Sequence, residues 1–93
     1  MTIALLRVHL HIPFSHSLKD KRSVLKRLIH HLRTSYNIAV AEVDDQDLWQ
    51  SAVLAIVTVY AQREQVDSLL RAVQRDLATG EDYELLQQDI EFL

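Results

Sequence analysis

The sequence contains no cysteine, one glycine and one proline among its 93 residues. Without thiols the chain forms no disulfide, no cysteine-ligated zinc or iron–sulfur site and no thiolate nucleophile. Because Gly80 is the sole glycine, no glycine-rich phosphate loop can be built, which argues against nucleotide-binding fingerprints and against an acylphosphatase-like enzyme. These absences favour a binding function over catalysis, and they predict no cofactor.

Long hydrophobic runs and low-complexity linkers are also missing. The longest apolar runs fall far short of the roughly 20 residues that span a bilayer. The N-terminal stretch MTIALLRVHLHI alternates and carries charge, unlike the core of a signal peptide. Length and composition predict a single domain over residues 1–93, cytoplasmic and without membrane association.

Charge is distributed unevenly along the chain. Residues 1–36 hold seven Lys or Arg against one acid, whereas residues 37–93 hold three Arg against twelve acids. Five basic residues of the first half recur at three- and four-residue steps, which places them on one face of a helix. We call this set the basic ridge: Lys19, Arg22, Lys26, His30 and Arg33. It predicts an anionic partner.

Hydrophobic periodicity predicts six elements. Residues 3–12 alternate as a half-buried strand, and apolar spacing predicts a helix from a Ser17 cap to about Ser35, with Asn37 as a left-handed stop. Two β-branched runs, 38–43 and 51–60, predict an antiparallel hairpin with a long polar tip. A second helix is predicted over 62–79 with Gly80 as its stop, and 84–93 is predicted to be a strand, with helix as the alternative.

The order strand, helix, strand, strand, helix, strand predicts a ferredoxin-like α+β sandwich. Such a βαββαβ fold has a four-stranded antiparallel sheet of order 4-1-3-2 with two helices on one face. In this arrangement the loop after the first strand, the hairpin tip and the entry to the last strand meet at one end of the sheet.

Two segments at that end carry a family resemblance: HIPFSHSLKDKRSVLKRL (His11–Leu28) and VAEVDDQDLWQSA (Val40–Ala52). Together they closely resemble the YlxP-like family of small bacterial proteins of unknown function, over essentially the whole chain. The resemblance implies a ferredoxin-like fold and, from the family's gene neighbourhood among translation and ribosome-maturation factors, a role with RNA or the ribosome. It implies no established activity. The motif positions at this end of the sheet include His16, Ser17, Lys21, Asp44, Asp45, Asp47 and Trp49.

The ridge predicts a non-enzymatic protein that binds RNA or a ribosomal subunit through phosphate contacts. The alternative is an ordinary solvated helix face. The candidate contacts are Lys19, Arg22, Lys26, Arg27, His30 and Arg33. We expect the acidic tip to pair with Lys19, Lys21 and Arg22, which would leave the other four residues as the freer contacts.

The remaining polar clusters have structural interpretations. The aspartates of the tip favour local turns and ion pairs over a metal site, because the segment lacks an EF-hand glycine and terminal glutamate. On the first strand, Arg7, His9 and His11 are expected to pair across the sheet with Asp89 and Glu91 rather than to bind a metal.

An enzyme that uses His16 with Asp44 or Asp47 as acid and base is the weakest hypothesis, since helix capping explains the serines beside His16. Trp49 is expected to pack on the core, with base stacking as the alternative. The sequence identifies no small-molecule substrate.

The third strand is apolar on both faces, with Ala52, Leu54 and Ile56 on one face and Val53, Ala55 and Val57 on the other. Only one face fits under the helices. An apolar strip on the open face predicts the alternative function, a homodimer or protein-interaction module that does not bind nucleic acid.

Overall fold

Alternating and helical apolar patterns generate six elements in the computed structural model, which describes residues 1–93. In chain order these are β1 (Thr2–His11), α1 (Leu18–Ser35), β2 (Ala39–Asp44), β3 (Ser51–Tyr60), α2 (Arg63–Ala78) and β4 (Glu84–Phe92). The predicted elements are confirmed, and the last segment is a strand rather than a helix. Neither helix is long and apolar enough to cross a membrane.

The four strands form one antiparallel sheet of order β2-β3-β1-β4, which is the predicted order counted from the opposite edge. The central strands β1 and β3 pair without interruption, from Thr2 opposite Tyr60 to His11 opposite Ser51. Each outer strand contains one irregularity in its register. The fold is ferredoxin-like α+β, as predicted.

His11 lies opposite both the first residue of β3 and the first residue of β4. The loops 12–17, 45–50 and 79–83 therefore meet at one end of the sheet, which we call the loop end. The two sequence motifs converge there, as the topology predicts.

One face of the sheet and the inner stripes of both helices form the core. The alternation of β1 and β3 correctly divides their residues between two faces, because side chains along a strand point to opposite sides, and the structure buries the face that carries Leu6 and Leu54. The buried apolar residues are Ala4, Leu6, Val8, Leu10, Ile12, Leu25, Leu28, Leu32, Val40, Ala52, Leu54, Ile56, Val66, Leu69, Leu70, Val73, Leu77 and Tyr83.

Helix α1 begins at the predicted cap but ends differently from the prediction. The Ser17 hydroxyl accepts a hydrogen bond from the Asp20 backbone N–H at 3.0 Å, and the Asp20 carboxylate accepts one from the His16 backbone N–H at 3.0 Å. At the other end Tyr36 is extended and Asn37 is not left-handed. Instead, the Asn37 side-chain amide donates to the Val59 carbonyl at 3.0 Å. This hydrogen bond accounts for an asparagine at position 37 without a left-handed helix stop.

Helix α2 ends close to the predicted position, for a different reason. Gly80 does not adopt a positive φ, so it is not a left-handed stop. A Cβ at this position would overlap the ring of Tyr83, which closes over the glycine. Gly80 is thus required by the close approach of a buried aromatic ring.

Candidate functional site

Lys21 is the buried ion of the loop end, with a side chain only 1% exposed. Its Nζ donates to the Glu42 carboxylate at 2.8 Å and to the backbone carbonyls of Asp45, Gln46 and Ser51 at 2.8, 3.2 and 3.1 Å. Four oxygens around one ammonium replace the hydration that burial removes. Lys21 therefore joins α1 to both strands of the hairpin and to its tip.

The predicted pairing of the tip with Lys19, Lys21 and Arg22 is wrong for two of the three. Lys19 and Arg22 are exposed and have no carboxylate within 4 Å. Lys21 pairs with Glu42, and the tip offers it backbone carbonyls rather than aspartate side chains. The backbone of the tip supplies these oxygens because its path brings the carbonyls of Asp45 and Gln46 to the Lys21 ammonium.

The aspartates of the tip form the local turn that their sequence predicts. The Asp44 carboxylate accepts from the Asp45 backbone N–H at 2.9 Å, and Leu48 N–H donates to the Asp45 carbonyl at 3.0 Å. Asp45 has a φ of 59°, a left-handed conformation that Asp adopts more readily than most residues. No group of three or more His, Asp or Glu side chains is arranged to hold a metal ion.

His9, Ser51 and Asp45 form a short chain of contacts behind the tip. The Ser51 hydroxyl lies 2.7 Å from His9 Nε2 and 2.7 Å from the Asp45 carboxylate, to which it donates. In a catalytic triad the carboxylate instead orients the histidine and the serine proton passes to the imidazole. Here the Asp45 carboxylate accepts the hydrogen bond of the Ser51 hydroxyl instead, so the three residues join the tip to β1.

The predicted cross-strand pairing of Arg7, His9 and His11 with Asp89 and Glu91 is wrong. Arg7 lies opposite Asp89 in the register, yet no carboxylate is within 4 Å of its guanidinium. His11 Nδ1 instead donates to the backbone carbonyl at position 50, at 3.1 Å. The histidines thus contact the β2–β3 tip rather than β4.

His16 is exposed and has no carboxylate within 4 Å of its ring. The structure does not bring it into contact with Asp44 or Asp47, the acid–base partners considered from sequence. Its backbone and the Ser17 hydroxyl both serve the start of α1. The two residues therefore have a clear capping role.

Trp49 does not cap the core, contrary to the prediction. Trp49 is 56% exposed, and Leu48 beside it is 52% exposed. Phe14, in the adjoining loop, is 77% exposed. Leu48 and Trp49 on the tip and Phe14 on the adjoining loop therefore give the loop end an apolar surface.

The basic ridge lies on the solvent side of α1. Lys19, Arg22, Lys26 and His30 are exposed, with neither a carboxylate within 4 Å nor a side-chain hydrogen bond. Arg33 donates to the Val40 carbonyl at 2.9 Å.

Arg27, beside the ridge, contacts the Asp82 carboxylate at 3.4 Å and the Ser23 hydroxyl at 3.0 Å. The structure therefore alters the predicted ranking of the cations. Lys19 and Arg22 are as free as Lys26 and His30, whereas Arg27 and Arg33 already have partners.

The open face of the sheet carries the apolar strip that β3 predicts. Val53, Ala55 and Val57 are half-buried there, and Ile3 and Leu5 of β1 are half-buried on the same face. Toward the loop end this face becomes polar. No element of the chain covers the strip.

A cluster between the helices was not predicted. Asp76 of α2 lies 2.7 Å from His31 Nε2 and accepts from the Tyr36 hydroxyl at 2.9 Å. Burial, followed by the hydrogen bond to Asp76 and its charge, raises the pKa of Tyr36 despite an opposing effect of Arg75. The partners lie 40 and 45 residues apart, so no local sequence pattern could have identified them.

Comparison with known proteins identifies the family. The sequence model described as "Protein of unknown function (DUF503)" matches residues 3–90, which include nearly every residue discussed above. The chain belongs to the DUF503 family. This confirms the resemblance carried by the two motifs, and the DUF503 description assigns no activity.

The chain is similar to the "Uncharacterized protein YlxP" of Bacillus subtilis (strain 168). It is 37% identical over 57 residues, which are 61% of this chain and 62% of that protein. The chain therefore spans less than two thirds of the relative's length in this alignment. The name of this relative indicates neither a ligand nor a reaction.

Proposed function

We propose that this protein binds RNA, on a ribosomal subunit, through the basic ridge of α1. The observation that carries the proposal is the row of three exposed cations, Lys19, Arg22 and Lys26, which the exposed imidazole of His30 continues; none of the four has an internal partner. Cations already paired with carboxylates gain less from phosphate, whereas free ones can release counterions from the nucleic acid. The family resemblance favours the ribosomal subunit over other RNAs.

The dimensions of the ridge suit a phosphate backbone. At 1.5 Å per residue, Lys19 and His30 are separated along the helix axis by about 16 Å, enough to follow several phosphates of one strand. The chain as a whole carries a formal charge of −3, so a local field rather than net charge would direct RNA to this face. Such contacts position RNA without reading its bases.

The direct experiment measures RNA affinity and ribosomal-subunit co-sedimentation at several salt concentrations. The test variant is Lys19→Glu with Lys26→Glu. Its matched control is Arg71→Glu with Arg75→Glu on α2, because all four residues are exposed and have no carboxylate within 4 Å.

If the ridge binds phosphates, the α1 variant weakens binding and reduces the slope of log affinity against log salt by about 2, roughly one for each phosphate that a replaced lysine neutralises in the wild type. The α2 variant retains most of its affinity and its salt slope. Equal losses of affinity in the two variants, or no loss in the first, would reject the proposal.

A second candidate, self-association through the open sheet face, is favoured by its uncovered apolar strip. Ala55 lies at the centre of this strip, opposite Arg7 on β1 and Ala41 on β2. In a two-fold dimer, Arg7 of one copy could meet Asp89 of the other, since neither has a partner within its own chain.

Sedimentation over a wide concentration range tests this alternative. If the chain forms a dimer, Ala55→Asp should convert it to a monomer. Ala61→Asp, in the exposed turn after β3, should leave the dimer intact. A wild-type chain that stays monomeric at the highest concentration excludes self-association.

A further inference from the structure

The loop end contains an apolar groove beside Trp49 that the basic ridge does not include. The groove has a volume of about 560 Å³ and is lined by His11, Asp47, Leu48, Trp49, Gln50 and Ser51. Isolated exposed apolar residues are common on proteins, but a tryptophan and a leucine side by side on a groove form a patch that favours a partner.

The groove is held in shape by hydrogen bonds from Gln50. Its side-chain amide donates to the carbonyls of Pro13 and Ser15 at 3.2 and 3.1 Å. Its backbone carbonyl accepts from Ile12 N–H at 2.9 Å and from His11 Nδ1 at 3.1 Å. A ligand would therefore meet a largely preformed wall and would not have to order the loop, which lowers the entropic cost of binding.

The free polar groups of the lining are mostly acceptors. A carbonyl can only accept, so His11 Nδ1 carries the proton toward Gln50 and leaves Nε2 as an acceptor in the neutral ring. Both amide hydrogens of Gln50 are used, which leaves its Oε1. Asp47 has neither a hydrogen bond nor an ion pair, and the Trp49 indole N–H is the one side-chain donor without a partner.

Charge identifies the ligand class. Asp44, Asp45 and Asp47 have no lysine or arginine nitrogen within 4 Å of their carboxylates. A phosphate group would be repelled here, whereas a planar cation can stack on an indole and donate to a carboxylate at the same time. Arginine does both, since its guanidinium presents five N–H donors around a flat face.

We propose that this groove binds an arginine side chain presented by a basic segment of another protein, with Trp49 stacking on the guanidinium and Asp47 accepting its hydrogen bonds. The site shares no residue with the basic ridge and does not depend on RNA binding. The molecule would then engage an acidic partner through α1 and a basic partner through the loop end.

The test uses a short capped peptide of glycine and serine with arginines, and a twin in which citrulline replaces each arginine. Trp49 is the single tryptophan, so its fluorescence reports occupancy of the groove. We expect saturable binding of the arginine peptide and at least about tenfold weaker binding of the citrulline peptide, which has nearly the same shape but no charge.

Two variants localise the effect by calorimetry. Asp47→Asn should weaken the arginine peptide about tenfold, the usual size of a charge-assisted contact. Trp49→Leu should weaken it at least as much and, because Trp49 is exposed, should not unfold the protein. Glu64→Gln, an equal charge change at the exposed start of α2, is the control and should bind as wild type.

Equal affinity for the two peptides, or an unchanged affinity in Asp47→Asn and Trp49→Leu, overturns the proposal. A single-stranded oligoribonucleotide is added as a competing probe. If it saturates Trp49 fluorescence more tightly than the arginine peptide and loses affinity in Trp49→Leu, the groove is a nucleobase site and the proposal is wrong. These outcomes are independent of the α1 variants, so either proposal can fail alone.

Discussion

Lys19 and Lys21 lie two residues apart on α1, and the structure gives them opposite surroundings. Lys21 is buried among four oxygens, whereas Lys19 is exposed and unpaired. A two-residue step turns a helix by about 200°, so neighbours in a basic motif can face the core and the solvent. Basic residues in one short motif thus divide into a structural group and a group free to bind a partner.

Removal of the buried lysine tests this contrast most strongly. Lys21→Met keeps most of the apolar stem but leaves Glu42 and three carbonyls without their cation, so we expect the free energy of unfolding to fall by about 3–5 kcal/mol. Lys19→Met is the matched control and should change it by less than about 0.5 kcal/mol. Chemical denaturation of both variants provides the comparison, and similar decreases in stability would remove the distinction between the two lysines.

The carboxylate partner of Lys21 should matter less than the lysine itself. Glu42→Gln retains a hydrogen-bond acceptor and leaves three carbonyls on the ammonium, so we expect the free energy of unfolding to fall by about 1–3 kcal/mol. A double-mutant cycle with Lys21→Met measures the coupling between the two side chains. Strict additivity of the two effects would show that the backbone carbonyls, rather than Glu42, hold the ammonium.

The helix cap affects both lysines through the turn on which they lie. Ser17→Ala removes the acceptor for Asp20 N–H and should destabilise the protein by about 1 kcal/mol, which lowers the melting temperature by about 4–8 °C for a domain of this size. Ser68→Ala, on the exposed side of α2, is the control. A drop in melting temperature that is as large in the control would contradict a capping role for Ser17.

The ionisation of Tyr83 should have the smallest effect on stability at neutral pH, because at that pH its phenol is protonated in both the folded and the unfolded chain. Burial, aided by the charges of Asp76 and Asp82, raises the pKa of Tyr83 from 10.0 to about 12. The folded state therefore holds this proton more tightly, and the resulting stability is present below pH 10 and lost as the pH rises toward 12.

Ultraviolet titration of tyrosinate should show a component near pH 12 that disappears in Tyr83→Phe. Equilibrium unfolding at increasing pH should show a decline above pH 10 that the variant reduces. If Tyr83→Phe instead removes absorbance change near pH 10, Tyr83 ionises at its ordinary value and its pKa is not raised. A component near pH 12 would extend the contrast between buried and exposed ionisable groups to a tyrosine, which is uncharged in its buried form.

Most of the fold could be predicted because local patterns determine it. The alternation around Leu6 and Val8 identifies a half-buried strand, and Ser17 identifies the start of α1. Element order then leaves few topologies open. One local prediction, Asn37 as a left-handed stop, failed because its amide finds a carbonyl on β3 that is distant in sequence.

The candidate site was less predictable because its partners are backbone atoms and distant side chains. Three of the four acceptors around Lys21 are carbonyls, which have no residue-specific pattern. The exposure of Trp49 depends on the path of the loop around that lysine, whereas its position at the edge of a hairpin favoured packing on the core. Asp76 joins His31 and Tyr36 only when the two helices pack side by side.

The irregular registers of the outer strands have a consequence for solubility. β2 is only six residues long and is interrupted between Glu42 and Asp44, and β4 has its own interruption opposite His9 and Leu10. Short, bulged and acidic edges are poor templates for a strand of a neighbouring molecule. The central strands can therefore keep an uncovered apolar face while the sheet edges resist growth into aggregates.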